Sequence, residues 1–353
     1  MKQINIELIR EYEANKLVMC QSHPSLPLLI WNYTQTCQFE QAWDDVTLVC
    51  RGLITDTDGN IICRGFDKFF NHDEPKGKFA SSWKQPFTAY EKLDGSYINI
   101  FYYEGQVLVS SRGSFTSDQA LWAMEFVNSN LLEFTHFFDK YGGDVTLMCE
   151  LIHPNNRIVV NYDTTFELVL TGWRLSGQDV DISDIVIGIR KAKTYELDIK
   201  KFKDLQKLEE LYDGNSEGFV IRFDNGNRVK FKFEDYKRLH HVITGISTKT
   251  IWEGLSTVGN IDDLIEICPD EMHNWVNEVR DGLYSSYFSI ESLAKSELED
   301  ILIINPKISK KDLALTIKGS TFASVIFKMF EDKPYSAMVW SMVKPSYEKA
   351  FSI

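Results

Sequence analysis

The feature that most constrains the fold is a change in the spacing of apolar residues near residue 245. Between about 46 and 236, short apolar runs are separated by Asp-Gly, Glu-Gly and Asn-Gly turns, which is typical of β-hairpins. After about 245, apolar residues recur every three to four positions, as they do in amphipathic helices. We therefore predict an α+β fold, with antiparallel sheets and helices over residues 1–245 and a small all-helical domain over 246–353.

Hairpins account for most of the first domain. The segment VTLVCRGLITDTDGNIICRGF is predicted to turn at Asp58-Gly59, and YINIFYYEGQVLVSSRG at Glu104-Gly105. DVTLMCELIHPNNRIVVNY indicates strand, turn and strand, and TFELVLTGWRL a buried strand. Helical spacing predicts one helix over 118–142 and another in KFKDLQKLEELYDG, which ends at Gly214.

Composition and charge narrow the function classes. The chain has no apolar run long enough to cross a bilayer, and its N-terminus lacks the apolar core of a signal peptide, so we expect no membrane association. Six cysteines lie far apart with no Cys-x-x-Cys pair, which favours reduced thiols in a cytoplasmic protein. A net charge of -13 argues against non-specific coating of nucleic acid, so positive charge must be local, as it is within 222–238.

A lysine precedes one of the Asp-Gly turns. The stretch YEKLDGSYINIFYYEGQVLVSSRGS (90–114) places Lys92 just before Asp94-Gly95, and Arg112 at the end of the following hairpin. Asp-Gly is a common turn and lysines are usually solvated, so a plain turn explains the pattern. The alternative is a lysine nucleophile, which needs support from the rest of the chain.

The strongest hairpin signal is Asn225-Gly226, within SEGFVIRFDNGNRVKFKFEDY (216–236). A two-residue turn there pairs Ile221 with Lys230. Side chains that alternate along the strands then share one face, which carries Glu217, Phe219, Ile221, Lys230 and Lys232. This face is either a solvated polar surface or, because it mixes apolar and charged residues, the wall of a ligand cleft.

Further charged residues lie in strand segments. Glu150, in TLMCELIHP, is either an edge carboxylate facing water or an acceptor for ligand hydroxyls. Arg51, Arg64 and Lys68 are either surface charges or phosphate contacts. If Lys92 is a nucleophile, neighbouring cations are expected to lower its pKa and to neutralise a triphosphate. The expected cations are Lys230, Lys232, Arg112 and a divalent metal ion.

Taken in order, these segments resemble the motifs of covalent nucleotidyltransferases, the superfamily of RNA ligases, DNA ligases and mRNA capping enzymes. The matching segments are EKLDG (91–95), SRGS (111–114), CELIHPNNRIVVNY (149–162), EGFVIR (217–222) and VKFK (229–232). RGLITDTDGN and GFDKFFN resemble the N-terminal phosphate-contact region of the ATP-dependent phage RNA ligase 1 family, whose T4 member repairs broken tRNA. DNA ligases and capping enzymes continue with a β-barrel, whereas the last hundred residues here look helical.

The resemblance implies an adenylated lysine. Lys92 would take AMP from ATP, and Glu217 would support Mg²⁺, for which Mn²⁺ is a substitute. Lys230 and Lys232 would contact the α-phosphate. AMP would then pass to an RNA 5′-phosphate and be displaced by a 3′-hydroxyl, which seals the strand.

The other matching residues would surround the nucleotide. Glu150 would bind the ribose hydroxyls, and Arg112 stands where relatives often have lysine. The residues implied to lie at the nucleotide are Glu91 and Gly95, and those at the outer phosphates are Arg51 and Lys68. Candidates for packing on the adenine are Leu170, Trp173 and Val220.

The helical tail carries a local lysine cluster around a helix start that Ser309 and Asp312 are expected to cap. The cluster comprises Lys307, Lys310, Lys311 and Lys318. It is either a solvated helix face or a phosphate contact, and in the second case the tail would select a folded RNA, such as a tRNA with a broken anticodon loop.

We expect a monomer in the cytoplasm, of the host cell if a phage encodes it. The alternatives are another polynucleotide ligase, a guanylyltransferase, an inactive RNA-binding relative, or a structural protein that carries the motifs by coincidence.

Overall fold

The computed structural model describes residues 3–80, 85–195, 209, 215–267 and 270–349. The chain divides into two compact units, Met1–Lys237 and Arg238–Ile353. This division falls inside the helix Glu234–Gly245, whereas the sequence predicts a boundary at the end of that helix.

The described residues of the first unit contain three β-sheets. In one, four strands pair in chain order: β1 (Val18–Ser22), β2 (Leu28–Tyr33), β3 (Arg51–Asp56) and β4 (Ile61–Cys63). The second contains β7 (Ser96–Tyr103), β8 (Gln106–Ser111), β9 (Val145–Ile152), β10 (Glu167–Leu175) and β11 (Gln178–Val180), in the order β11-β10-β9-β7-β8. The third contains β5 (Phe70–Asn71), β6 (Phe87–Lys92), β12 (Thr194–Tyr195), β13 (Gly218–Phe223) and β14 (Arg228–Lys232), in the order β12-β6-β13-β14-β5. Described strand pairings are antiparallel apart from β14 with β5, which is parallel.

The helices of the first unit connect these strands. They are α1 (Ile6–Ala14), α2 (Gln35–Phe39), α3 (Asp45–Val49), α4 (Pro75–Ala80), α5 (Asp118–Ser129) and α6 (Leu131–Tyr141), and α7 (Glu234–Gly245) follows the third sheet. Side-chain oxygens cap several helix starts, as when Asp44 accepts hydrogen bonds from the backbone N–H groups of Val46 and Thr47.

The described part of the second unit is helical, so the predicted α+β fold with a helical C-terminal part is confirmed. Its helices are α8 (Thr248–Thr257), α9 (Asp262–Ile267), α10 (Asp270–Ile304), α11 (Lys310–Thr316), α12 (Ala323–Phe330) and α13 (Ser336–Met342). Ser309 caps α11 by accepting a hydrogen bond from Asp312 N at 3.2 Å, which confirms the predicted helix start. Within the described ranges, no helix combines the length and apolar character needed to span a membrane.

The largest core cluster lies against the second sheet. Val145, Leu147, Cys149 and Leu151 of β9 belong to it, together with aromatic residues of α6. Because side chains alternate along a strand, Glu150 projects from the opposite face of β9. A well-packed sheet therefore holds a carboxylate away from its main core.

The β13–β14 hairpin differs from the predicted register by one residue. Asp224, Asn225 and Gly226 form a three-residue loop closed by a hydrogen bond from Phe223 N to Asn227 O at 2.9 Å. Gly226 has a φ of +85°, which suits the left-handed position that ends such a loop. The sequence predicts a two-residue turn, because Asn-Gly favours that shorter turn as well.

The shifted register changes which side chains share a face. Val220 pairs with Lys230, and Phe219 pairs with Phe231. Phe219 and Ile221 are 1% and 0% exposed, so their predicted place on the charged face is wrong. Lys230 and Lys232 do lie on the face away from the core, which Val220 shares.

Other sequence expectations had mixed outcomes. The hairpin turning at Glu104-Gly105 and the buried strand β10 are confirmed. The predicted helix over 118–142 is two helices that meet at Asn130. The second strand expected in NNRIVVNY is absent from these described residues, whose backbone is irregular after the short turn Pro154–Asn156. The helix expected in KFKDLQKLEELYDG falls almost wholly outside the described residues.

Candidate active site

Three charged residues from the third sheet meet at one point. Lys92 ends β6, Lys232 ends β14, and both pair across the sheet with Gly218 at the start of β13. Glu217 precedes Gly218, and its Oε2 and Oε1 lie 2.5 Å from Lys92 Nζ and 2.9 Å from Lys232 Nζ. We call Lys92, Glu217 and Lys232 the lysine–glutamate cluster.

The local backbone requires the glycine beside this cluster. Gly218 has a φ of +141°, and a Cβ atom at that position would lie 2.0 Å from Phe231 O. Only glycine adopts that conformation without strain. The Glu-Gly pair of the sequence therefore turns the Glu217 carboxylate, whose side chain is 3% exposed, toward the two lysines.

The charge state of Lys92 differs from the sequence expectation. Burial alone would lower its pKa, but the carboxylates of Glu217 and Glu150 outweigh burial and raise the Lys92 pKa above its ordinary value. The pKa of Glu217 is lowered: burial opposes this shift, and Lys92 and Lys232 override it. Cations were expected to depress the Lys92 pKa, and in this structure the adjacent carboxylates reverse that direction.

Glu150 lies at the other end of the same site. β9 pairs with β7, and the Glu150 Oε1 atom accepts a hydrogen bond from Gly95 N at 3.3 Å. A Cβ atom at Gly95 would lie 2.3 Å from Leu151 O, so the close approach of the turn to β9 requires glycine. Burial, partly offset by Lys92, raises the pKa of Glu150 to about 7. The structure thus brings Glu150 and Gly95 together beside Lys92, as expected for residues at one ligand.

Asp94 was not among the predicted site residues, yet its hydrogen bonds link several segments of the site. Its carboxylate accepts hydrogen bonds from the backbone N–H groups of Val159 and Val160 at 2.7 and 2.8 Å, and from Tyr236 Oη at 2.6 Å. Its own N–H donates to Tyr162 Oη at 2.9 Å. Asp94 therefore ties the Lys92 turn to two distant segments. In the sequence, Asp94 is visible only as part of an Asp-Gly turn, and that pattern does not predict that Tyr162 and Tyr236 are its hydrogen-bond partners.

A second group of cations surrounds Lys230. The pKa of Lys230 is lowered well below its ordinary value, first by burial and then by the charges of Arg51, Lys92 and Lys68. Arg51 lies over the ring of Tyr97, and its buried Nη1 has no hydrogen-bond partner. An unpaired buried donor next to clustered cations fits an anionic ligand such as a phosphate group.

Aromatic rings hold these cations in place. Lys68 Nζ lies 5.1–5.3 Å from the ring centres of Tyr33, Trp43 and Phe70. Arg112 lies over the same Tyr33 ring and donates to its hydroxyl at 3.3 Å. Sequence reasoning missed these aromatic partners, which come from β2, the α2–α3 loop and β5 and have no common spacing signal. Lys68 and Arg112 both contact Tyr33, so these two cations lie within one site.

Two predicted residues make other contacts. Glu91 binds Arg190 at 2.7 Å and accepts a hydrogen bond from Lys193 N at 3.0 Å, so its side chain secures a neighbouring segment of chain. Arg64 forms an ion pair with Asp67 at 3.1 Å. Neither side chain has a described hydrogen bond or ion pair with the lysine–glutamate cluster.

The three adenine-packing candidates are not equivalent. Leu170 and Trp173 are 0% and 2% exposed and belong to the main core cluster, and Trp173 Nε1 donates to Asp181 O. Val220 is partly exposed and pairs with Tyr90 on one side and Lys230 on the other. Val220 is therefore the candidate with an accessible side chain.

The donor set constrains any metal ion. In the ranges that the structure describes, no three His, Cys, Asp or Glu side chains are arranged to hold a metal. The two oxygens of Glu217 already bind Lys92 and Lys232. These residues fit an ion that is held mainly by phosphate oxygens and water, with Glu217 acting through water, which suits Mg²⁺.

Comparison with known proteins identifies the family. Residues 49–237, more than half of the chain, match a family model described as RNA ligase. An RNA ligase of Rhodothermus phage RM378 is 24% identical, covering 77% of this chain and 78% of that protein. The "Putative bifunctional polynucleotide kinase/RNA ligase" of Autographa californica nuclear polyhedrosis virus is 28% identical over 71% of this chain, which spans only 39% of that relative's length.

A solved structure agrees at the level of the fold. An archaeal ATP-dependent RNA ligase has a TM-score of 0.50 and 11% sequence identity to this protein, covering 83% of this chain and 80% of that one. The match to the family model includes every residue of the lysine–glutamate cluster and of the Lys230 cation group. The chain belongs to the T4-type RNA ligase family of the covalent nucleotidyltransferase superfamily.

Proposed function

We propose that this protein is an ATP-dependent RNA ligase that forms a lysyl-AMP intermediate. The observation that carries the proposal is the lysine–glutamate cluster, in which a buried carboxylate holds two lysines beside the cations Lys230 and Arg51. A structural ion pair does not need additional cations around it, whereas a triphosphate does.

In the first step, Lys92 Nζ bonds to the α-phosphorus of ATP, and the bond to the β-phosphate oxygen breaks to release pyrophosphate. The attacking amine must be neutral, so Lys92 gives up a proton first. Because its pKa is raised in the free protein, the rate of this step should increase with pH. Lys230 and Lys232 stabilise charge at the α-phosphate, and Arg51 and Lys68 bind the outer phosphates.

In the second step, an oxygen of the RNA 5′-phosphate bonds to the same phosphorus, and the Lys92 N–P bond breaks to return the amine. In the third, an RNA 3′-hydroxyl attacks the 5′-phosphate, loses its proton and expels AMP. Glu150, as a ribose-binding group, would hold the nucleotide through these exchanges. A divalent ion, supported by Glu217 through water, would supply further stabilisation of phosphate charge when bound.

The test is incubation of the purified protein with α-labelled ATP or GTP and Mg²⁺ or Mn²⁺. The proposal predicts a covalent label from ATP that base leaves intact and acid removes, followed by sealing of 5′-phosphorylated RNA. A label from GTP alone would favour a guanylyltransferase, and sealing of DNA alone another polynucleotide ligase. RNA binding without label would indicate an inactive relative.

We further propose that the C-terminal unit selects a folded RNA, such as a tRNA with a broken anticodon loop. The supporting observation is that all four lysines of this cluster are exposed, although Lys310 is also bound by Glu331 at 2.6 Å. Deleting residues after 245 should leave lysine adenylation in place and reduce the ratio of sealing on nicked tRNA to sealing on unstructured RNA. An unchanged ratio would show that the tail has a packing role only.

A further inference from the structure

A groove of about 720 Å³ lies in the first unit, and its lining includes Lys68, one of the cations that we propose bind the outer phosphates of the nucleotide. It is lined by Lys68, Phe69, Lys76, Arg174, Asn227 and Arg228, among others, and we call it the arginine groove. None of these residues belongs to the lysine–glutamate cluster. Lys68 belongs both to this groove and to the cation group around Lys230, because its charge lowers the pKa of Lys230.

The charge of the arginine groove is opposite to that of the chain. Four cationic side chains line it, against the carboxylates of Asp67 and Asp179, although the whole protein has a net charge of -13. Asp179 binds Arg228 through both of its oxygens, so these two side chains are fixed relative to each other. The balance of charge favours an anionic ligand.

Arg174 provides an unused donor in this groove. The residue is 9% exposed, and its Nη1 donates to Gly177 O at 3.0 Å while its Nη2 lies 3.5 Å from Asp67. Its Nε is buried and has no hydrogen-bond partner. A buried guanidinium donor without an acceptor costs free energy, which an anionic oxygen entering the groove would recover.

Phe69 connects the groove to the nucleotide side. Its ring lines the groove and is half-buried, and the Nζ of Lys230 lies 4.7 Å and the guanidinium of Arg51 5.9 Å from the ring centre. Phe66 packs edge-to-face against Phe69, with ring centres 6.0 Å apart, and the guanidinium of Arg228 lies 4.6 Å from the centre of the Phe66 ring. Cations interleaved with aromatic rings are the pattern that binds single-stranded nucleic acid, because bases stack while phosphates pair with the cations.

The direction of the chemistry indicates which strand belongs there. In each phosphoryl-transfer step the attacking and leaving atoms lie roughly in line across the phosphorus. Pyrophosphate leaves opposite Lys92 in the first step, and Lys92 leaves in the second. The RNA 5′-phosphate must therefore approach from the side that pyrophosphate vacated, which is the side of Arg51 and Lys68.

We propose that the arginine groove binds the single-stranded RNA that carries the 5′-phosphate. Arg174 and Arg228 pair with its backbone phosphates, and a base near its 5′ end stacks on Phe69. This inference rests on the proposed ligase function, and it assigns the donor strand to a surface outside the nucleotide site.

The test uses full-length protein with Lys76→Glu or Asn227→Glu, both exposed positions on the groove lining. Matched controls with the same charge changes are Lys140→Glu and Asn128→Glu, at exposed positions of α6 and α5 that do not line the groove. Two rates are measured: labelling of the enzyme by ATP, and transfer of AMP from the purified labelled enzyme to a short 5′-phosphorylated single-stranded RNA.

The groove variants should be labelled within about twofold of the wild-type rate, and should transfer AMP to RNA about tenfold more slowly at low salt, a difference that shrinks as salt screens the added carboxylate. The controls should match wild type in both rates. Unchanged AMP transfer in both groove variants would overturn the inference. Equal losses in both rates would also overturn it, because the groove would then serve the nucleotide. A wild-type protein that takes no label would refute the ligase proposal itself, together with this inference.

Discussion

In each unit of the protein, one glutamate joins two lysines. Glu217 lies 2.5 and 2.9 Å from the Nζ atoms of Lys92 and Lys232. Glu331 lies 2.6 and 2.9 Å from its two lysines. The lysines that bind Glu331 are Lys310 and Lys333. Distances alone therefore do not separate a reactive cluster from a surface ion pair.

Burial separates the two clusters. The side chains of Lys92 and Lys232 are 16% and 25% exposed, whereas those of Lys310 and Lys333 are 65% and 54% exposed. Water screens the second cluster, as it does most surface ion pairs. In the first unit, burial and then the neighbouring cations move the pKa of Lys230 well below its ordinary value. The same residue types become a candidate for chemistry only where water is largely removed.

The largest expected effect is that of Lys92→Ala. The variant should lose ATP-dependent labelling by a factor on the order of 10³ or more, since it removes the amine that we propose is the covalent nucleophile. Because only the first two steps use this amine, sealing of pre-adenylated RNA should persist. Ligation of ordinary 5′-phosphate ends at the wild-type rate would contradict the assignment.

The two clusters are compared directly by Lys232→Ala and Lys310→Ala. Each removes one lysine from a glutamate that keeps another. Loss of Lys232 should slow labelling about 10²-fold, because it removes a cation that we propose contacts the reacting phosphate. The domain should stay folded by circular dichroism. Loss of Lys310 should leave labelling unchanged. Similar rates for the two variants would mean that burial does not distinguish the clusters.

Lys230→Ala should slow labelling to a similar extent as Lys232→Ala.

A matched pair of tyrosines tests whether burial also governs stability. Tyr236 Oη donates to Asp94 at 2.6 Å in the first unit, and Tyr335 Oη donates to Glu291 at 2.8 Å in the second. Tyr236→Phe should lower the free energy of unfolding by about 2 kcal/mol, since a buried carboxylate loses a donor. Tyr335→Phe should have a smaller effect. Denaturant titration of both variants gives the difference, and an equal loss would count against the argument from burial.

A further prediction concerns the pH dependence of stability. Burial raises the pKa of Glu150 from an ordinary 4.5 to about 7, so the folded state favours the protonated carboxyl. That contribution is fully present below the ordinary pKa and is lost as the pH rises through the folded pKa. Glu150→Gln has no such titration. Its melting temperature should therefore increase relative to that of wild type as the pH is raised from about 5 to 8. Parallel curves would show that the Glu150 pKa is not raised.

Periodicity predicted the β7–β8 and β13–β14 hairpins and the helical tail, because strand and helix spacing are local properties of the chain. It did not predict the irregular backbone of NNRIVVNY. The register of β13 and β14 was not predicted, since Asn-Gly fits two loop lengths and the choice between them moved Phe219 and Ile221 into the core. Residue order along the motifs indicated the site residues, including Lys92 and Glu217. The partners of Asp94 were not predicted, because Tyr162 and Tyr236 approach it only through the tertiary fold.

The pKa of Lys92 was missed for a related reason. Sequence alone shows that lysines and arginines are numerous near the motifs, but not that the charges of Glu217 and Glu150 outweigh burial in setting the pKa of Lys92. The distance between opposite charges decides the direction of the shift, and it depends on the conformation at Gly218.

The most direct test of the account is to locate the nucleotide on the protein. Wild-type protein is incubated with ATP and a divalent ion, digested, and examined by mass spectrometry for a peptide that carries the mass of AMP. We predict that AMP is attached to Lys92 and that the attachment disappears when pyrophosphate is added to reverse the first step. AMP attached to a different lysine, or no attachment in protein that still seals RNA, would contradict it.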